Sequence, residues 1–215
     1  MKFFIIIKEE SVRVPNKNFL MLGDKPLWRH LIEELKNNEV FIDTDSDIIL
    51  RETKDMNWVT TYRRKREHVN LEVSKDFKVS PALIMIDSFL DRFVSDPNEI
   101  IITPHVTSPF IKLKTIQKAV RKLNHGYDSV QACVKHQEFA YFKNKPINFN
   151  PNVIQKTQDL EPIVMGNGAF FIFTKKTFKK NKNRTGKNPF FYALKGRESI
   201  EIDNTEDFEL AKRYF

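Results

Sequence analysis

Phe3 to Ile7 is an unbroken apolar run. Without polar alternation, a run of that length predicts a strand buried on both faces. The spacing then changes. Leu27, Leu31, Ile32 and Leu35 recur at helical intervals behind Pro26, which suits a helix start. Val40 to Ile42 reads as a second strand, ending in Asp43-Thr44-Asp45-Ser46-Asp47, and Trp58 to Tyr62 as a weaker third. Ser80-Pro81 supplies a cap and a first-turn proline for a helix that continues to about Phe93. Ile100 to Ile102 forms a fourth strand. Leu113, Ile116, Val120 and Leu123 make another helical stripe, with Gly126 as its stop. Ser129 to Val134 and Gly168 to Phe173 read as strands. A last helix runs from about Thr205 to Tyr214, capped by Asn204 or Thr205.

Strands alternating with helices predict an α/β sandwich around a mostly parallel sheet. Ligands of such sheets sit beyond the carboxyl ends of the strands. Lys8 to Asn18, Asp43 to Asp47 and Thr103 to Pro109 each follow a strand, so they are expected to converge on one crevice. Phe139 to Glu161 is polar and irregular, and reads as an excursion from the core. There is no internal repeat.

Composition narrows the class. With 215 residues, 40% of them hydrophobic and 30% charged, the chain fits one soluble domain spanning 1–215. No apolar run reaches membrane-span length. Met1 to Ile7 is too short for a signal peptide, and Lys8 with two glutamates follows at once. Cys133 is the sole cysteine, which excludes an intrachain disulfide and a cysteine-based metal site. A cytoplasmic location is expected, or a nuclear one in a eukaryote. The net charge of +8 favours an anionic partner: a nucleotide, an acidic sugar or nucleic acid. Lys175 to Lys187 carries Lys175, Lys176, Lys179, Lys180, Lys182, Arg184 and Lys187 with no acid. Aromatic interleaving is limited to Phe178, so a solvated loop is expected there and nucleic-acid binding is not.

Two distant segments carry the chemistry. Lys8 to Asn18 gathers cationic groups beside a turn. Ser199 to Asp203 places Glu201 and Asp203 on one side of an extended chain, as residues two apart do on an edge strand. Two carboxylates on one face repel unless a cation joins them. Cations for a polyphosphate and carboxylates for a divalent metal together point to nucleotidyl transfer.

These segments resemble those of the acylneuraminate cytidylyltransferases, the CMP-sialic acid synthetase family. Val12-Arg13-Val14-Pro15-Asn16-Lys17-Asn18 resembles the end of the family motif A-R-G-G-S-K-R-V-P-x-K-N. Leu22 to Leu27 resembles G-K-P-L, Phe41 to Asp45 resembles S-T-D, and His105 to Phe110 resembles Q-P-T-S-P-L. Gln158 to Pro162 and Asn167 to Phe171 resemble later segments. Ser199 to Asp207 resembles S-I-D-I-D-x-x-x-D. Several segments in the same order, over nearly the whole chain, carry the likeness.

The resemblance implies a Rossmann-like three-layer sandwich of the nucleotide-diphospho-sugar transferase type. It implies transfer of CMP from CTP to a nine-carbon 2-keto sugar acid, with Mg²⁺ or another divalent cation, in a homodimer. The region matching Phe139 to Glu161 would reach into the partner subunit. Lys8 and Lys17 would be the catalytic cations, and with Ser11, Asn18 and Arg63 they would hold the nucleotide. Arg64 and Arg66 stand close enough to Arg63 to compete for its role. His105 and Asn167 would contact the sugar, although Asn167 could instead close a turn. Glu201 and Asp203 would hold the metal. Lys8 stands where the family has arginine, Glu9 and Glu10 where it has small or neutral residues, and Val12 at a commonly cationic position. Met165 lies near an arginine of some relatives, and Glu201 replaces an aspartate. Three other readings stay open: a CMP-Kdo synthetase, a non-catalytic nucleotide-binding homologue and a basic nucleic-acid binder.

Overall fold

The computed structural model describes residues 1–74 and 78–215. In chain order, its strands and helices are β1 (Lys2–Ile7), β2 (Met21–Leu22), β3 (Lys25–Pro26), α1 (Leu27–Glu34), β4 (Val40–Thr44), α2 (Asp47–Glu52), β5 (Val59–Arg63), α3 (Arg66–Val73) and α4 (Pro81–Phe93). There follow β6 (Ile100–Pro104), α5 (Leu113–Val120), β7 (Ser129–His136), β8 (Tyr141–Phe142), β9 (Lys145–Pro146), β10 (Ile163–Thr174), α6 (Lys175–Asn181), β11 (Pro189–Ala193) and α7 (Thr205–Lys212).

The main sheet has the order β11-β7-β10-β6-β1-β4-β5. Strand β10 pairs antiparallel with β6 and β7, whereas the β1–β4, β1–β6, β4–β5 and β7–β11 pairs are parallel. The expected mostly parallel three-layer sandwich is what forms. Alternation along β1 explains the layers: Phe3, Ile5 and Ile7 face one core and Phe4 the other. The first core packs Trp28, Leu31 and Ile32 of α1, Ile49 of α2 and Ile116 of α5. The second packs Met85, Ile86, Phe89 and Leu90 of α4 and Phe178 of α6. A third cluster joins Leu22, Leu27, Phe110, Ile202, Phe208 and Ala211, and seats α7 beside the crevice. Among the described residues, no helix is long and apolar enough to cross a membrane.

Three local expectations are corrected. The basic run is no simple loop: Lys175–Asn181 is helical, started by Thr174 Oγ1 accepting from Thr177 N, with Phe178 buried. Lys179 also pairs with Asp87 (2.5 Å) and Asp91 (2.7 Å) of α4. Charge counting hid one apolar anchor with its acidic partners on another helix. Next, Glu201 and Asp203 lie on no strand. A short 3₁₀ turn, Gly196–Ser199, precedes them, and Ile202 N donates to Thr107 O (2.8 Å). Buried Ile202 anchors the segment through its side chain, which no ladder requires. Last, α2, α3 and β11 are present although weak periodicity concealed them.

Phe139 to Glu161 lies outside the main sheet. It holds the small β8–β9 ribbon, with Tyr141 and Phe149 edge-to-face and Phe142 and Ile154 exposed.

Candidate active site

The parallel strands deliver β1, β4, β5 and β6 to one edge. Because β10 runs the other way, its amino-terminal half meets the same edge, where its pairing with β7 shifts register between Gly166 and Phe171. A crevice of about 240 Å³ opens here, lined by Lys8, Ser11, Lys17, Asn18, Thr103, His105 and Arg184.

The loop after β1 builds one side. Asn16 adopts a left-handed conformation (φ 51°), which turns Lys17–Phe19 into a 3₁₀ segment and buries Lys17 and Asn18. Asn18 Nδ2 donates to Lys8 O (2.8 Å), tying the two ends of the loop together. Lys17 Nζ donates to Ile202 O (2.7 Å) and lies 3.7 Å from Asp203 Oδ1. Burial lowers its pKa below the ordinary 10.5, and Asp203 opposes that shift. Among the described residues, the Lys8 ammonium has no ion-pair partner. Glu9 N donates to Asp45 Oδ1 (2.8 Å), and neither Glu9 nor Glu10 lines the crevice.

The opposite side is a chain of charged groups. Glu201 Oε2 accepts from Gly168 N (2.8 Å), and its Oε1 lies 3.9 Å from His105 Nδ1. Arg184 Nη1 lies 3.3 Å from His105 Nε2. A guanidinium can only donate, so Nε2 is the accepting nitrogen and the ring proton sits on Nδ1, facing Glu201. Burial raises the Glu201 pKa, but His105 and the Gly168 N–H outweigh it and the net shift is downward. Arg184 stacks on Phe171, with its guanidinium carbon 3.5 Å from the ring centroid. Burial pulls its pKa down to about 10. The buried Thr103 Oγ1 has no hydrogen-bond partner among the described residues. An orphan hydroxyl in a crevice is ready for a ligand or water.

Lys8, Ser11, Lys17, Asn18 and His105 are therefore brought together. Glu201 and Asp203 flank Ile202, and both act on the charge of Lys17. Two expected contacts are not made. Arg63 lines a separate cavity and donates to Asp45 O (2.8 Å) and to Asp47. Its neighbour Arg64 is a buried strut, bound to Asp43 (2.6 Å), Glu72 (2.5 Å) and Ile7 O (3.1 Å). The Asn167 amide is tied to backbone at both ends: Oδ1 accepts from Ala169 N (2.9 Å) and Nδ2 donates to Ser199 O (3.1 Å). These bonds close a turn. Sequence reasoning missed Thr103 and Arg184. Thr103 was marked only as the start of a segment expected at the crevice, with no role of its own, and Arg184 was submerged in a run of lysines.

Among the described residues, no group of three or more His, Cys, Asp or Glu could hold a metal by itself. Mg²⁺ requires only one or two carboxylates where phosphate oxygens and water complete its shell. Asp203 meets that need. It is 41% exposed and held at 2.6 Å by Arg13, itself 64% exposed, so solvent screens the pair and an incoming cation can replace it. Glu201 is less available because both its oxygens face partners. The donor set fits a cation shared with a polyphosphate.

Fold and crevice define an α/β domain with a cation-lined crevice at the carboxyl edge of its sheet. Residues 5–188 match the family model described as "Cytidylyltransferase", and the chain belongs to that family. It is 27% identical over 222 residues to N-acylneuraminate cytidylyltransferase A of Danio rerio, covering 97% of this chain and 49% of the relative. The N-acylneuraminate cytidylyltransferase of Streptococcus agalactiae serotype III is 26% identical, over 92% of this chain and 49% of that protein. The chain thus spans about half the length of these curated relatives. Among solved structures, a CMP:2-keto-3-deoxy-manno-octonic acid synthetase complexed with CTP superposes with a TM-score of 0.65 at 14% identity, covering 99% of this chain and 96% of that one. A 4-diphosphocytidyl-2C-methyl-D-erythritol synthase from Anaerococcus prevotii DSM 20548 gives 0.64 at 13%, covering 99% and 95%. At these identities, the likeness is one of fold.

Proposed function

We propose that this chain joins CMP from CTP to a sialic-acid-like nine-carbon 2-keto sugar acid and releases pyrophosphate. The observation that carries the reading is one crevice with Lys8, Ser11, Lys17 and Asn18 on one side and His105 on the other, in a chain of the cytidylyltransferase family. The names of the curated relatives supply the sugar class.

The anomeric hydroxyl oxygen of the sugar attacks the α-phosphorus. The bond from that phosphorus to the oxygen bridging α and β breaks, pyrophosphate leaves, and the hydroxyl proton passes to solvent. Negative charge grows on the departing oxygens, so Lys8 and the buried Lys17 lower the barrier by fixed opposite charge. Ser11 and Asn18 position the phosphates by hydrogen bonding. Asp203, assisted by Glu201, would hold a divalent cation. When bound, that cation neutralises phosphate charge and orients the leaving group. His105 offers a hydrogen bond to the sugar. A homodimer formed through 139–161 belongs to the same reading.

The test is pyrophosphate release from CTP and Mg²⁺ with a panel of nine-carbon 2-keto acids and Kdo, using wild type and Asp203→Ala. Release with a nine-carbon acid is expected, reduced roughly 10²- to 10³-fold in the variant. Protein that binds CTP yet turns over no sugar would be a non-catalytic homologue, and preference for Kdo would reassign the substrate.

A further inference from the structure

Arg184 is a half-buried cation with no carboxylate within ion-pairing distance among the described residues. The loop that carries it is built to hold it there. Lys182 takes a left-handed conformation (φ 54°) that ends α6. Asn183 Oδ1 accepts from Thr185 N (2.9 Å) and Gly186 N (2.8 Å). Gly186 has φ 68°, and a Cβ there would fall 2.6 Å from Asp128 Cγ, so the position admits only glycine without displacement. Asp128 accepts from Lys187 N (2.7 Å) and Asn188 N (3.0 Å), closing the loop. The Phe171 face and His105 Nε2 then fix the guanidinium plane at the crevice wall.

A half-buried cation without a counter-charge gains from a bound anion. The triphosphate already has cations, Lys8 and Lys17, on the loop after β1. Arg184 lines the same crevice but touches His105, the residue proposed to meet the sugar. Its planar fork pairs bidentately with a carboxylate, and on the His105 side the anionic group of the proposed substrate is the sugar's carboxylate. We infer that Arg184 is the specificity-determining receptor for the carboxylate of the sugar acid. This rests on the sugar-acid reading above.

The experiment measures KM for sugar acid and for CTP separately in wild type, Arg184→Gln and Arg184→Lys, and repeats wild type and Arg184→Gln with the C1 carboxamide of the sugar. Arg184→Gln should raise the sugar KM roughly 10- to 100-fold and leave the CTP KM unchanged. Arg184→Lys should fall between, because it keeps charge and loses the fork. The carboxamide should lose as much on wild type as the acid loses on Arg184→Gln, and the two losses should not add. A raised CTP KM with an unchanged sugar KM would place Arg184 on the triphosphate and overturn the inference. Equal use of acid and carboxamide by wild type would also overturn it, without any variant having to fold. Wild-type turnover with variants indifferent to the sugar sinks this inference alone. No turnover of any sugar by wild type sinks the function reading, and this one with it.

Discussion

Gly168 shows how one missing side chain shapes the site. A Cβ there would collide with Glu201 Oε1 and lie 2.7 Å from His105 Nδ1. Both neighbours are side-chain ends, so the fold can absorb a methyl group by moving them. The site cannot, because Gly168 N donates to Glu201 and Glu201 faces the ring that Arg184 meets. Gly168→Ala should therefore leave the melting temperature nearly unchanged while turnover drops roughly tenfold or more. Melting curves set beside pyrophosphate-release rates check this. A large loss of stability with intact specific activity would contradict it. Asn167, its neighbour in the chain, is the reverse case: its polar signal suggested a ligand, and both ends of its amide hold backbone.

At the scale of elements, α7 links stability to the Asp203 side of the crevice. Asn204 Oδ1 accepts from Asp207 N (2.9 Å), while Asp207 Oδ2 accepts from Asn204 N (3.0 Å) and Asp203 N (2.8 Å). This capping box starts the helix, buries Phe208 and Ala211 in the third cluster, and fixes the backbone of Asp203. Asn204→Ala should cost about 1 kcal/mol in urea unfolding. It should also weaken Mg²⁺ dependence, seen as a higher Mg²⁺ concentration for half-maximal activity. An unchanged unfolding midpoint would remove the cap from this account. The cap and helix were readable from Asn204 and the acids after it. The two carboxylates were read on one side of an extended chain, and a two-residue spacing describes extended backbone whether or not a ladder holds it.

For the whole molecule, the exposed side chains of 139–161 are the chief departure from a closed core. Phe142 is 64% exposed and Tyr141 62%, on a two-stranded ribbon that would be marginal in water by itself. In the proposed homodimer a partner subunit covers them. Phe142→Glu should then shift sedimentation from dimer to monomer, with little change in the secondary structure of the domain. A wild-type chain that sediments as a monomer at every concentration would remove the dimer from the reading.

By itself, the sequence determined the layers and the edge where chemistry occurs. Continuous apolar strands and amphipathic helices alternate, and short-range periodicity is enough to specify that. It also marked Lys8, Ser11, Lys17, Asn18 and His105, since each lies just past a strand or within a recognisable motif. Only the tertiary structure decided which cations face the crevice. Arg63 and Arg64 are adjacent, yet one turns to Asp45 and Asp47 and the other is locked between Asp43 and Glu72. Arg184 looked like one member of a solvated run and sits beside His105, 79 residues away along the chain. A charged side chain's role is set by the partners that desolvate or neutralise it. Those partners arrive from other elements, at separations that local pattern does not encode.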